Sequence, residues 1–470
     1  MSFNKKPGGS GKGAGSAALI AFLARLHFYI GLFVGPFILV AIVTGTLYVL
    51  TPQIETRLYA GQLTAEATGT PHPLAAQITA AQAATGDDAR LFAVRPAPQP
   101  GSTTRVMFSG PELGESESRA IFVDPVSLAI RGDLTVYGTS GILPFRTTLD
   151  YLHRNLLLGD LGRHYSELAA SWLWIAALSG VMLWLLGMRP GKAAAGRNGQ
   201  LRLRRLHGLT GLWIVLGLLF FSATGLTWSK WAGDRIGALR TTMGWVTPSV
   251  STQLNTATLA PAAGAHAGHH HGHEAAPADT APGLADPALF DRILATARAA
   301  GIDADELEIR PANSADSAWL VREVDRSWPT QVDTLAIDPA TLQVTSRADF
   351  AEFPLVAKLI RWGIDAHMGI LFGLANQLLL AAFGLALSVM IVLGYLMWWR
   401  RRPAAGSLLP LLQSWQRLSP AARLASLLLA VALGWCLPVL GASLLLFLLI
   451  DLLRWRRARQ AAPLPAGTAD

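Results

Sequence analysis

The sequence is poor in charged residues and almost free of cysteine. Only 15% of its 470 residues are charged and 51% are hydrophobic, whereas a typical soluble domain has about 25% charged residues. This composition excludes a chain that is soluble along its whole length. The one cysteine, Cys436, excludes a disulfide framework, a CxxC redox pair, covalent CxxCH haem attachment and an iron–sulfur cluster held by the chain's own thiolates. The sequence also lacks a Walker loop, a dinucleotide-binding glycine motif and an HExxH zinc motif.

Long apolar runs are what the sequence does contain. Four of them have about the 20 residues that a helix needs to cross the hydrocarbon core of a membrane. They lie at 26–51, 168–188, 206–228 and 374–399. The first is too long for a signal-peptide core and lacks a small-residue cleavage site, so it is predicted to be a retained anchor. A fifth apolar region, 424–450, is interrupted by Pro438 and Gly441. It is predicted to form a short hairpin, with a single kinked span as the alternative.

Basic residues are concentrated beside these runs. Nineteen of the 39 basic residues, but only two of the 31 acidic residues, lie in the segments 1–25, 189–205, 400–423 and 451–470. The positive-inside rule places these segments, and both termini, in the cytoplasm. The net charge of +8 is therefore a signal of topology, and it favours a membrane surface over a nucleic-acid partner.

Two long segments, 52–150 and 231–364, remain for the outer face. In each, a predicted helix (73–84 and 288–300) precedes four short strands, which are indicated by alternation and turn residues. The strands are predicted at 91–95, 104–108, 120–123 and 128–131, and at 307–310, 318–324, 334–337 and 343–345. The second segment also contains a His-rich insert at 264–274, in a stretch of low complexity.

The two halves of the sequence repeat the same motifs. The tripeptide Arg-Leu-His that ends at His27 recurs 180 residues later and ends at His207. The segment FVDPVSL recurs as AIDPATL 214 residues later, and His153 recurs as His367 at the same offset. The sequence therefore predicts an internal duplication, which often places a site where the two halves meet.

The repeated histidines form two layers. His27 and His207 are expected at the cytoplasmic ends of the first and third spans, and His153 and His367 just outside the second and fourth. Ionisable residues at membrane depth are costly and usually functional, and neutral imidazole is a common axial ligand of b-type haem, which needs no cysteine. The two pairs favour two haems, one near each face, or another bound cofactor. For any single histidine, the alternative is a capping or snorkelling role.

Two further groups of histidines allow more than one interpretation. His164 has no histidine at the matching position of the second half, where Leu378 lies, so it is either a packing residue or an alternative ligand of the outer haem. The His-rich insert can bind Cu, Zn or Ni, and its low complexity favours a flexible metal-scavenging segment over a catalytic site. Its histidines are His266, His269, His270, His271 and His273.

The segments RLHFYIGLFVGPFILVAIVTGTLYV and RRLHGLTGLWIVLGLLFFSATGLTWS, together with FVDPVSL and AIDPATL, carry a family resemblance. Over roughly residues 20–402 the chain resembles the PepSY-associated transmembrane family. The resemblance implies a multi-pass protein of the bacterial inner membrane. Its expected fold is an all-α bundle of four main transmembrane helices plus the C-terminal hydrophobic hairpin, with two periplasmic α+β PepSY-like domains related by internal duplication.

Such proteins are often linked to iron uptake, and some are ferric-siderophore reductases with two b-type haems. The resemblance implies that His27, His153, His207 and His367 are the haem ligands. It also implies that electrons pass from a cytoplasmic or quinone donor to a periplasmic ferric siderophore, from which Fe(II) is released. The alternatives are a membrane-anchored module that binds or restrains a periplasmic partner, and a copper reductase that uses the His-rich insert. A metal transporter is disfavoured because the cores of the four spans carry no charged residue.

The predicted organisation has eleven segments. They are a basic tail (1–19), the first span (20–51), outer domain 1 (52–150), an outer-face His segment with the second span (151–188), a basic loop (189–205), the third span (206–230), outer domain 2 (231–364), an outer-face His segment with the fourth span (365–400), a loop (401–423), the hairpin (424–453) and a tail (454–470).

Overall fold

The structure is a computed structural model that describes residues 11–86, 89–188, 199–254, 285–401 and 411–460. The chain divides into two compact units. Unit 1 comprises Met1–Thr44, His153–Arg235 and Ala382–Asp470, and unit 2 comprises Gly45–Leu152 and Ile236–Ala381.

Helices account for most of the described residues. In chain order they are α1 (Gly11–Tyr29), α2 (Gly35–Val49), α3 (Pro52–Leu58), α4 (Ala60–Leu63), α5 (Leu74–Thr85), α6 (Pro144–Asn155), α7 (Gly159–Leu183), α8 (Gly199–Thr227), α9 (Trp231–Thr242), α10 (Pro287–Ala299), α11 (Leu355–His367), α12 (Gly373–Arg401), α13 (Leu411–Gln416), α14 (Pro420–Cys436) and α15 (Pro438–Gln460). A π-helical turn at Ile30–Val34 joins α1 to α2, and another at Trp184–Met188 extends α7.

Five helical stretches in the described part of the chain are long and apolar enough to cross a membrane. They are Gly15–Val49, Gly159–Gly187, Gly199–Thr227, Gly373–Arg401 and Pro438–Arg457. The first four cover all but at most two residues of each of the four main apolar runs of the sequence. The chain is therefore a multi-pass membrane protein.

The interrupted apolar region near the C-terminus forms two helices. α14 has 17 residues and ends before Leu437, and α15 begins with Pro438, whose ring is well suited to the first helical position. The two helices approach closely at a pair of glycines, because a Cβ on Gly441 would lie 2.8 Å from the Gly434 Cα. Of the two, only α15 is long enough to cross a membrane by itself.

Eight strands of the described residues form one antiparallel sheet in unit 2. They are β1 (Arg90–Arg95), β2 (Thr104–Ser109), β3 (Glu117–Val123), β4 (Ile130–Tyr137), β5 (Leu307–Arg310), β6 (Trp319–Glu323), β7 (Thr334–Ile337) and β8 (Val344–Ala348). Their order is β4-β3-β2-β1-β5-β6-β7-β8. The sequence predicts two outer α+β domains, and in the structure the two sets of four strands join where Val94 of β1 pairs with Ile309 of β5. The strand order is symmetric about this junction.

Helices α5 and α10 pack against the sheet and share its core. Buried side chains from both helices and from strands of both halves belong to one apolar cluster. In this cluster the rings of Phe290 and Trp319 lie 4.6 Å apart. The Asp291 carboxylate on α10 accepts hydrogen bonds from the Leu74 and Ala75 N–H groups (2.8 and 3.0 Å), which satisfies donors in the first turn of α5.

The repeated Asp-Pro motifs form matching turns before β4 and β8. Leu128 and Leu342 have φ values of 60° and 56°, a left-handed conformation that costs a non-glycine residue about 1–2 kcal/mol. Within each turn, the leucine N–H donates to the carbonyl of Asp124 (2.9 Å) or Asp338 (2.8 Å). Each aspartate side chain also accepts a backbone N–H two residues further on, at 2.9 Å. These contacts explain why both halves need aspartate here, whereas the duplication itself stays a prediction.

A buried ion-pair cluster holds the junction of the two half-sheets. The Glu308 carboxylate on β5 is 1% exposed and pairs with Arg95 (2.6 Å), Arg310 (2.7 Å) and Arg322 (2.8 Å). Burial alone would raise the pKa of Glu308, but the three guanidinium groups hold it well below its usual range. Because Arg95 lies on β1, this carboxylate links the two half-sheets electrostatically.

We expect Glu308→Gln to destabilise unit 2 by about 3–5 kcal/mol, because it leaves partly buried guanidinium groups without their counter-charge. The measurement is thermal unfolding in detergent at neutral pH. Asp133→Asn is the matched control, since the Arg119–Asp133 pair is largely exposed and is expected to contribute less than about 1 kcal/mol. Equal unfolding temperatures for the two variants would contradict this account.

The stabilisation by the Glu308 carboxylate also depends on pH. Because the pKa of Glu308 is lowered in the folded state, this stabilisation is complete above the unfolded-state pKa of about 4.3. It is lost as the pH falls through the folded-state pKa.

Candidate cofactor site

His27 and His207 lie side by side in unit 1. His27 lies two residues before the end of α1, which continues into the π-helical turn, and His207 lies in α8. Their ring centres are 6.1 Å apart and the ring planes meet at 82°. The structure therefore brings together the two histidines that the sequence pairs at the cytoplasmic face.

Backbone carbonyls fix the tautomer of both rings. His27 Nδ1 lies 3.1 Å from the Ala176 carbonyl oxygen and 3.0 Å from Ser179 Oγ on α7. His207 Nδ1 lies 2.9 Å from the Met390 carbonyl oxygen on α12. A carbonyl oxygen only accepts hydrogen bonds, so each Nδ1 carries the proton and each Nε2 keeps its lone pair. Histidines that bind metals commonly donate their other ring N–H in this way.

The distance and the donor set are compatible with a cofactor held by two imidazoles. Two imidazoles that would share one metal centre, each through one ring nitrogen at about 2 Å, could do so with ring centres 6.1 Å apart. Among the described residues there is no group of three or more His, Cys, Asp or Glu side chains that could hold a metal ion. A b-type haem would need no more than two histidine ligands from the chain, and His27 and His207 would supply them.

A glycine lies beside each ring, Gly180 beside His27 and Gly394 beside His207. The two glycines leave different amounts of space, so we expect their alanine variants to behave differently. A Cβ on Gly180 would lie 3.1 Å from His27 Cε1, whereas a Cβ on Gly394 would lie 3.7 Å from His207 Cε1, an ordinary contact. We expect Gly180→Ala to displace the His27 ring and to shift the midpoint potential or lower the occupancy of a haem bound there. Gly394→Ala is the control and should resemble the unmodified chain in a redox titration followed by absorbance. Identical titrations for the two variants would contradict the placement of His27.

His153 lies in unit 1 near the end of α6 and contacts the first membrane span. Its Nδ1 is 3.2 Å from Thr44 Oγ1. The Thr44 hydroxyl donates its own proton to the Val40 carbonyl (2.8 Å), so it accepts from the imidazole. The backbone carbonyl of His153 accepts a hydrogen bond from the Tyr165 hydroxyl (2.5 Å). The ring is thus oriented by a polar contact within the apolar span.

His164 has a different environment. It is exposed, its Nδ1 lies 3.1 Å from the Leu161 carbonyl oxygen, and its Nε2 accepts from Trp231 Nε1 at 3.3 Å. Both ring nitrogens are therefore engaged by neighbouring groups, and metal binding would require the Trp231 contact to break.

Two sequence-predicted ligand groups remain, His367 and the His-rich insert. His367 is the half-buried last residue of α11, in unit 2. The whole His-rich insert, 264–274, lies outside the described residues.

Two buried carboxylates near the spans were not identified from the sequence. Glu167 in α7 accepts the N–H groups of Trp231 (2.9 Å) and Ala232 (3.1 Å) and so caps α9. Asp451 in α15 accepts a hydrogen bond from the Tyr29 hydroxyl at 2.7 Å. Tyr29 lies two residues after His27 in α1. A lone acid within an apolar run is a signal of a specific role, and here Asp451 ties α15 to the helix that bears His27.

A family model described as PepSY-associated TM region matches residues 24–401 of the chain. The match includes His27, His153, His164, His207 and His367, and it ends where α12 ends. No curated protein matches the chain.

Proposed function

The chain belongs to the PepSY-associated TM region family, and we propose that it carries electrons across a bacterial inner membrane to reduce a periplasmic ferric siderophore. The observation that carries the proposal is the pair His27 and His207, whose ring centres lie 6.1 Å apart within membrane-capable helices. Two imidazoles with hydrogen-bonded Nδ1 atoms at this separation would be suited to hold one b-type haem.

Each residue has a distinct part in this proposal. His27 and His207 would bind the inner haem through Nε2, and the carbonyls of Ala176 and Met390 orient their rings. His153 and His367 are proposed, from their pairing in the sequence, to bind a second haem near the outer face. A haem held by two histidines supplies a one-electron carrier. The apolar spans keep water away from the path between the two faces.

Reduction is the step that releases the metal. A siderophore holds Fe(III) through hard oxygen donors, and the same donors bind the larger, less charged Fe(II) far more weakly. One electron therefore converts ferric siderophore into free siderophore and Fe(II). The donor on the other side would be a cytoplasmic reductant or a membrane quinol.

The distribution of basic residues supports the direction of transfer. Segments rich in Arg and Lys flank α1, α8 and the end of α12, which favours a cytoplasmic location for them and for both termini. The eight-stranded sheet would then lie in the periplasm, where it could meet the acceptor.

Stopped-flow reoxidation of the reduced, full-length chain tests the proposal. We expect rapid reoxidation by a ferric siderophore, with Fe(II) appearing in a ferrous chelator, and none by the metal-free siderophore. Deletion of 264–274 is expected to leave the rate largely unchanged, because the insert has no counterpart in the first half of the sequence.

The outcome with copper distinguishes the main alternative. Reoxidation by Cu(II) alone, lost on deletion of 264–274, would replace the siderophore reductase by a copper reductase. Failure of every metal complex to reoxidise the protein would overturn electron transfer to a metal and favour a membrane-anchored module that binds a partner.

A further inference from the structure

Helix α11 of unit 2 carries an apolar face that the described residues leave exposed. Leu355, Leu359 and Trp362 recur along the helix at the spacing of a single helical face. The side chains of Leu355 and Leu359 are each more than half exposed. The one acidic residue of α11, Asp365, is buried, so no carboxylate of the helix interrupts this face. Exposed apolar surface that is contiguous marks an interaction site.

A tryptophan from the sheet extends the exposed face of α11. Trp328 lies in the 324–333 loop, which joins β6 to β7, and its side chain is 56% exposed. Its ring centre is 5.6 Å from that of Trp362 and 6.0 Å from that of Phe372. The Trp328 backbone N–H donates to the Leu371 carbonyl at 2.8 Å. This loop is therefore fixed against the segment that directly precedes α12.

The continuity of this surface with a membrane span indicates what covers it. Helix α12 begins at Gly373 and is long and apolar enough to cross a membrane. Phe372 and Leu374, at the start of this span, are both more than half exposed. The aromatic cluster thus lies at the end of a span, where the hydrocarbon core gives way to headgroups. Tryptophan is enriched at this depth because its ring is apolar and its N–H is polar.

We propose that α11 and the 324–333 loop lie in the lipid headgroup region of the membrane face at which α12 begins. The apolar face of α11 would rest on the acyl chains, and the Trp328 ring would anchor the loop beside it. Interfacial helices bury their apolar side about 5–10 Å into the boundary between headgroups and acyl chains. This contact with lipid goes beyond electron transfer and does not depend on it.

Spin labels at single cysteines test this placement. In the background Cys436→Ser, which removes the one native cysteine, Trp328→Cys and Leu359→Cys each receive a nitroxide. The labelled full-length chain is placed in nanodiscs of phosphatidylethanolamine and phosphatidylglycerol. Saturation EPR then measures collisions of the label with O2, which dissolves in lipid, and with a neutral Ni(II) chelate, which stays in water.

Val344→Cys, labelled in the same way, is the matched control. Val344 is an exposed apolar residue of β8 and pairs with Ile337 of β7. Because β7 begins after the 324–333 loop and ends at Ile337, Val344 lies at the end of the strand pair that is remote from this loop. Its label should therefore be in water.

We expect the labels that replace Trp328 and Leu359 to have a ratio of O2 to Ni(II) collisions several-fold higher than the control label. Frequent Ni(II) collisions at both positions, as at the control, would place them in water and overturn the proposal. Rare collisions with both reagents would also overturn it, because a protein surface, from a second copy or from another segment of this chain, would then cover the site.

The two labels are independent of each other. The exposed Leu359 side chain can be replaced without disturbing the contact between the rings of Trp328 and Phe372, so its label remains informative if Trp328→Cys alters the aromatic cluster. Neither measurement requires haem or reduction of a metal. Failure of the lipid contact is therefore distinguishable from failure of the proposed function.

Discussion

Replacing His27 or His207 with alanine is expected to remove one of two haems and to leave the other in place. Each variant deletes one of the two imidazoles that lie 6.1 Å apart, so a haem held by this pair would lose half of its protein ligands. The haem-to-protein ratio should fall by about half in both single variants and no further in the double variant, because the two residues serve one site. Pyridine haemochrome absorbance measures the ratio.

His72→Ala provides the control for these variants. His72 is an exposed histidine of unit 2 before α5, and its replacement should leave both haems bound. Retention of full haem content in His27→Ala, with an unchanged spectrum, would contradict the assignment of the inner site. Loss of all haem in every histidine variant, His72→Ala included, would indicate misfolding instead.

The second large effect is expected at the outer face. His153→Ala should remove the other haem and abolish reoxidation by the ferric siderophore, because the electron path would end inside the membrane. His164→Ala should leave both haem content and reoxidation close to those of the unmodified chain, since its ring nitrogens are engaged by Leu161 and Trp231. Haem content and stopped-flow reoxidation are measured on the same preparations.

His153 and His367 occupy matching positions in the two halves of the sequence. We therefore expect His367→Ala to lose the outer haem, as His153→Ala does. If His164→Ala strips the outer haem while His153→Ala retains it, the outer ligand is His164 and the assignment is wrong.

Local sequence patterns predicted the elements of the fold well. The four main apolar runs lie in membrane-capable helices, and every predicted strand overlaps a strand of the sheet. Hydrophobic periodicity and turn residues act over a few residues, so they are visible in one sequence. The pairing of His27 with His207 was also predictable, because the repeated Arg-Leu-His motif marks equivalent positions in the two halves.

Contacts between distant segments were not predictable in the same way. The pairing of β1 with β5 and the capping of α5 by Asp291 join residues more than 200 positions apart, and no local pattern encodes them. The carbonyls of Ala176 and Met390 that fix the imidazoles carry no side-chain signature either.

The most direct test of the central claim is the visible spectrum of the purified full-length chain from haem-sufficient cells. The account predicts a Soret band, α and β bands that sharpen on reduction as for bis-histidine haem, and about two extractable b-type haems per chain. A colourless preparation without a Soret band would contradict it, whatever the protein reduces.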